Sequence, residues 1–202
     1  QVEIMRINMN FKLTVFIGVC LGACFILTRP AFASNQPNVA MAEPEWQARS
    51  EATATWMWFD IYKATLFTKN TQMTKNRFNV NEILEDKQPL KLKLCYLKSI
   101  EKADLIKGAE AVLPAELSQD LNQAVNKLHQ AYQNVKSGDC YALEYQPGNG
   151  TQLLFNEQLV FKTNLPGFKA VYFGIWLGEN PLSDSLKTEL LAPLKSKESP
   201  IL

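Results

Sequence analysis

The sequence predicts an α+β fold built on an antiparallel sheet, and three observations carry that expectation. Strand-like and helix-like segments are segregated along the chain, with no βαβ alternation. The clearest strand, LKLKLCYLKSI at residues 90–100, alternates Leu90, Leu92, Leu94 and Tyr96 with Lys91, Lys93, Cys95 and Leu97, so one face is core and the other mostly solvent. The clearest helix carries Leu117, Leu121, Val125, Leu128 and Tyr132 at steps of four, four, three and four, a core-facing stripe. A chain of 202 residues with 47% hydrophobic and 20% charged residues fits one domain with appendages.

The N-terminus reads as a leader. Residues 1–4 precede Met5, and Met5 or Met9 is read as the start. Arg6 and Lys12 come before the apolar run LTVFIGVCLGACFIL, and Ala31-Phe32-Ala33 with polar Ser34-Asn35-Gln36 follows. That order predicts a secretory signal over 1–33, cleaved between Ala33 and Ser34. The run is shorter than the ~20 apolar residues of a spanning helix, so no membrane span is expected after cleavage. Leu21-Gly22-Ala23-Cys24 offers an alternative, a lipid anchor at Cys24, although Phe25-Ile26-Leu27 continues the apolar run. The expected location is periplasmic or secreted. Residues 34–52 are polar and proline-containing and read as a linker or arm, 53–195 as the domain, and 196–202 as a frayed tail.

Within the domain, TATWMWFDIYKATLFTK at 53–69 reads as one long strand or two joined by a bend. Trp56, Trp58, Asp60 and Tyr62 share one parity, and Met57, Phe59, Ile61 and Lys63 the other. Neither face is clean, which predicts a bulge near Asp60. Residues 70–88 are a polar connection with a short element around 80–84. After the strand at 90–96, Ser99 is the expected N-cap of a helix over 100–112, and Pro114 the opening of the next. Gly138-Asp139 end the pair. CYALEYQPGNGTQLLFNEQLVFKTN then gives three strands, with turns at 147–150 and at Asn156-Glu157-Gln158.

In the helix that follows, Phe168, Val171, Tyr172, Ile175 and Trp176 form one apolar stripe. Asn164 is its expected cap, Pro166 and Gly167 sit in its first turn, and Gly178 closes it. The stripe is core first, and at most the roof of a cleft. Pro181 breaks this helix, Ser183 or Asp184 caps a last one, and Leu186, Leu190 and Leu191 face the core.

Few residues announce chemistry. A net charge of +1 with scattered lysines excludes a strong electrostatic grip on nucleic acid. The single histidine, His129, reads as solvated or partly packed and supports neither a metal site nor a Ser-His-Asp arrangement. Gly148-Asn149-Gly150-Thr151 is a hairpin corner, since no lysine follows it as in a phosphate loop. Glu82, Glu85 and Asp86 read as solvated surface. No cofactor is expected. Cys95 and Cys140 are a candidate disulfide, because an oxidising compartment permits one; two buried free thiols are the alternative.

The segments GDCYALEYQPGNGTQLLFNEQLV and YFGIWLGENPLSDSLKTELL, with FDIYKATLF and LKLCYLKSI earlier, resemble the chalcone isomerase-like proteins over about residues 53–192. The resemblance implies the chalcone isomerase fold, an open-faced β-sandwich whose antiparallel sheet is covered on one face by helices. It also implies a cleft between sheet and helices, used in plant enzymes to cyclise a chalcone and in plastid relatives to hold fatty acids. Both use an arginine just upstream of the strand that here is TATWMWFDIY. Residues 52–61 contain no arginine or lysine, and Arg49 is the nearest. No catalytic residue therefore carries over.

The implied reading is an exported, non-catalytic domain holding a fatty acid or other amphipathic small molecule. Tyr62, Tyr96 and Trp176 would line its site, with Lys63 or Arg49 as anion partner. Two alternatives stand beside it. One is an interaction module with a cleft filled by Trp56, Trp58, Tyr62 and Trp176 and an unidentified protein partner. The other is an intramolecular lyase or isomerase.

Overall fold

Six antiparallel strands run up and down in sequence order to form one sheet, with no crossover between them. They occur in a computed structural model that describes residues 45–69 and 80–194. The expected leader, its cleavage point between Ala33 and Ser34, the anchor alternative at Cys24, most of the polar arm and residues 196–202 lie outside the described residues.

β1 (Gln47–Trp56) and β2 (Phe59–Thr68) are the two strands of the Trp-rich segment, joined at Met57-Trp58. β1 begins inside the stretch expected to be a polar arm. Ladder hydrogen bonds are made by the backbone, so an edge strand with one wet face tolerates Gln47, Arg49, Ser50 and Glu51. The pairing skips Ile61, so the bulge lies one residue from Asp60, where the mixed parity placed it. From Tyr62 onward the alternation is clean: Ala64, Leu66 and Thr68 are buried.

β3 (Leu90–Tyr96), β4 (Cys140–Gln146), β5 (Gly150–Phe155) and β6 (Gln158–Thr163) complete the sheet. In-register pairs Leu92 with Leu143, Leu143 with Leu153 and Leu153 with Phe161 carry the core across the inner face. On the outer face Lys91 meets Glu144 at 2.7 Å, and Cys95 opposite Cys140 forms a disulfide. The β5–β6 loop has two residues, Asn156 and Glu157, both at positive φ, as a type I′ turn requires. Gly150 is needed at φ 75°, where an added Cβ would overlap the Thr163 carbonyl and the Asn164 side chain.

Among the described residues there are five α-helices: α1 (Val80–Leu84), α2 (Lys102–Glu110), α3 (Gln119–Ala131), α4 (Phe168–Leu177) and α5 (Asp184–Leu191). α2 starts later than Ser99 predicts, because Ile100 is held extended by reciprocal backbone bonds of 3.0 Å with Val135. α3 does not open at Pro114. Ser118 caps it instead, its hydroxyl accepting from the Leu121 N–H at 3.4 Å. α4 takes Gly167 as N-cap, and Asn164 makes no capping bond. Its expected stripe is buried or half-buried, but Lys169, Phe173 and Leu177 are buried too, so the helix is covered on two sides. Ser183 caps α5. Against the inner face, α5 lies on β1 and β2, α4 on β5 and α3 on β6. The sheet and these helices enclose a core with Leu66, Leu92, Leu128, Phe168 and Leu190 at full burial.

Candidate functional site

Where β2 begins and β3 ends, under α2 and α4, the layers leave a cavity of about 160 Å³. The strand register makes Tyr62 and Tyr96 cross-strand partners, their rings edge-on at 5.7 Å. Trp176 reaches down from α4 and donates its Nε1–H to the Tyr62 hydroxyl at 3.2 Å. Tyr132, which ends α3, accepts a 2.9 Å bond from the Tyr172 hydroxyl. α2 closes the opposite wall with Leu105, Gly108 and Ala109. Exposed Asp104 and partly exposed Leu182 mark the rim. At Gly108 an added Cβ would meet no atom within 4 Å, so the wall there is open space.

The inner wall of the cavity is built of apolar side chains and tyrosine hydroxyls, and Asp104 at the rim is the one charged residue among the described residues that line it. Burial raises the Tyr62 phenol above its ordinary value, and the Trp176 bond offsets part of that rise. Burial pushes Tyr96, Tyr132 and Tyr172 up as well. At neutral pH all four are uncharged hydrogen-bonding groups. Three of the hydroxyls are engaged with each other or with Trp176. The Tyr96 hydroxyl makes no hydrogen bond among the described residues, although the residue is only 4% exposed. Among the described residues that line it there is no lysine, arginine or histidine. The arrangement can therefore offer one free neutral donor and acceptor in an apolar surround, with no cation to stabilise a phenolate or carboxylate.

Tyr62, Tyr96 and Trp176, singled out from the sequence, meet at this cavity. The two cations do not. Lys63 follows Tyr62, so the strand's period of two sends it to the outer face, where it pairs with Glu51 at 3.8 Å. Arg49 is the extra residue of a β1 bulge; its Nε donates to Thr68 and its Nη2 to Gln47, each at 2.8 Å. Trp56 and Trp58 do not fill the cleft: both are exposed, Trp58 at 89%.

Sequence reasoning missed Asp104, Gly108 and Tyr132. Their only signal was that Asp104 and Gly108 lie four apart, on one helix face. His129, expected to be solvated or partly packed, is buried. It stacks on Tyr132, and its Nε2 has no partner. Burial lowers its pKa. Glu85 and Asp86 are also more than surface. Buried Lys169 donates to the carbonyls of Glu85 and Gln88 at 2.5 and 2.8 Å, and Asp86 accepts the Gly167 N–H at 2.7 Å.

A larger hollow of about 570 Å³ lies between residues 111–115 and the other side of α4. Ala111, Ala115, Ala170 and Gly174 line it, and none of the tyrosine cluster reaches it. Among the described residues no group of His, Cys, Asp and Glu is arranged to hold a metal, and no helix is long and apolar enough to cross a membrane.

A family model described as chalcone isomerase-like matches residues 39–192. The crystal structure of a fatty-acid binding protein from Arabidopsis thaliana superposes with a TM-score of 0.60 at 9% identity. The match covers 74% of this chain and 88% of that one, and at this identity it speaks for the fold alone. No curated protein matches the sequence.

Proposed function

We propose that this chain, which belongs to the chalcone isomerase-like family, is a non-catalytic binding domain that holds a small amphipathic molecule between sheet and helices. The observation that carries the reading is the hydroxyl of Tyr96, a residue 4% exposed, which faces an apolar cavity with no partner among the described residues. A ligand hydroxyl or carbonyl in the cavity could exchange a hydrogen bond with it, worth about 0.5–1.5 kcal/mol net. The shared fold with a protein named for fatty-acid binding supports a small molecule held between sheet and helices. Chalcone cyclisation, by contrast, asks for a cation beside the developing charge, and none lines this cavity.

Export belongs to the same proposal. The leader-like N-terminus and the bridge between Cys95 and Cys140 support an oxidising compartment, periplasmic or secreted.

Native mass spectrometry of the protein purified without detergent tests the binding reading. The expected result is a bound small molecule, or uptake of one from a panel of short amphiphiles, that is lost in Gly108→Leu, whose side chain would occupy the cavity. A bare polypeptide mass under every condition, or an adduct retained by Gly108→Leu, would overturn it.

A second reading, an interaction module, rests on the β1–β2 turn. Trp56, Met57, Trp58 and Phe59 are four consecutive large apolar residues, all exposed, which is unusual on a free surface. Loss of a co-purifying protein on Trp58→Ser, with the cavity bare, would move the assignment there.

A further inference from the structure

We infer that the cavity takes a ring-sized polar molecule, neutral or with an outward amine, and refuses carboxylates; the inference rests on the binding role proposed above. Size sets the first limit. At about 160 Å³ the space is close to the engineered apolar cavity of about 150 Å³ that takes up benzene, and well below the ~300 Å³ at which drug-sized pockets begin. It accommodates one six-membered ring and a substituent, not an extended acyl chain.

Charge sets the second limit, and it acts in both orientations of a ligand. With its head inward, a carboxylate would lie among Tyr62, Tyr96, Tyr132 and Trp176. These supply neutral donors but no cation, and an ionised carboxylate buried without a counter-charge is strongly disfavoured. With its head outward, the carboxylate would leave the cavity past Asp104, the one charged residue in the lining. Like charges placed together are a device for exclusion. An alcohol, phenol or ketone meets neither obstacle, and its oxygen can exchange a hydrogen bond with the Tyr96 hydroxyl. An amine is excluded head-inward by desolvation and accepted head-outward by Asp104.

Benzyl alcohol, benzylamine and benzoate have nearly the same size and carry charges of zero, plus one and minus one at neutral pH. Their affinities for the intact protein can be read from Trp176 fluorescence or by calorimetry. Benzyl alcohol is expected to bind at least about tenfold more tightly than benzoate. Tyr96→Phe should weaken benzyl alcohol by about twofold to tenfold, the worth of one hydrogen bond. Asp104→Asn should weaken benzylamine and narrow the gap between benzoate and benzyl alcohol. Benzoate binding as well as benzyl alcohol, or better, would overturn the charge selection while leaving the binding role standing. No binding of any of the three would defeat the size assignment. The binding role itself would fall if the protein were also bare in the mass-spectrometric test or kept its adduct in Gly108→Leu.

Discussion

The indole Nε1 of Trp176 donates to the Tyr62 hydroxyl across 3.2 Å, tying α4 to β2 over a sequence separation of 114 residues. Tyr62→Phe removes the acceptor and leaves a largely buried indole N–H unpaired. The expected cost is about 1–2 kcal/mol. For a chain of this size that lowers Tm by about 2–8 °C. The Trp176 emission should shift at the same time. An unchanged Tm and spectrum would show that the bond does not hold the helix to the sheet.

Lys169 yields a pH signature. It is fully buried, its ammonium lies 4.7 Å from the centre of the Tyr145 ring, and burial lowers its pKa to about 8. In the unfolded chain the same lysine titrates near 10.4. Between those values the unfolded state binds the proton that the folded state has released, so stability rises with pH through that interval. Chemical denaturation should give a gain of about 2 kcal/mol from pH 8 to pH 10, and Lys169→Met should remove that slope. Lys169→Met should also lose about 1–3 kcal/mol at pH 7, since the Glu85 and Gln88 carbonyls lose their donor. A slope identical in both proteins would place the titration elsewhere.

The same lysine shows where sequence reading stops. The sheet was legible because strand signals are local: Leu90, Leu92 and Leu94 alternate with polar neighbours, and the Asn156–Glu157 turn separates two apolar runs. Tyr96 is legible from the same parity as an inward position, whereas the parity around Tyr62 is mixed because the pairing skips Ile61. The partners of Lys169 are backbone carbonyls 81 and 84 residues away, and carbonyls have no sequence signature. Nearness along the chain is all that points to Lys63 and Arg49 as anion partners. A period of two and a one-residue bulge each suffice to send a neighbour of an inward residue elsewhere. Asp104 and Gly108 sit on a short helix whose inward face is set by the layer beneath it, not by its own weak pattern.

His129 predicts a change on the acid side. Burial lowers its pKa, with Glu110, 3.7 Å from Nδ1, opposing that and Lys102 adding to it. Below about pH 6.5 the unfolded histidine takes up a proton that the folded one refuses, so stability falls as pH falls. His129→Phe keeps a ring against Tyr132 and Tyr172, removes the unpaired Nε2, and should flatten the profile between pH 7 and pH 5. An equally steep loss in the variant would assign the acid sensitivity to other groups.

The Cys95–Cys140 bridge closes a loop with a sequence separation of 45 across neighbouring strands. Loop-closure entropy for that length gives up to about 4 kcal/mol, and measured values for native bridges fall at about 2–5 kcal/mol. The bridge sits on the outer face, away from the tyrosine cluster, so its loss should act on global stability rather than on the cavity. Cys95→Ser with Cys140→Ser, or reduction with dithiothreitol, should lower Tm by about 5–15 °C. The affinity of the cavity for benzyl alcohol, measured well below that Tm, should stay the same. A parallel loss of affinity would mean that β3 shifts without its covalent tie to β4 and takes Tyr96 with it, making the bridge part of the site's geometry.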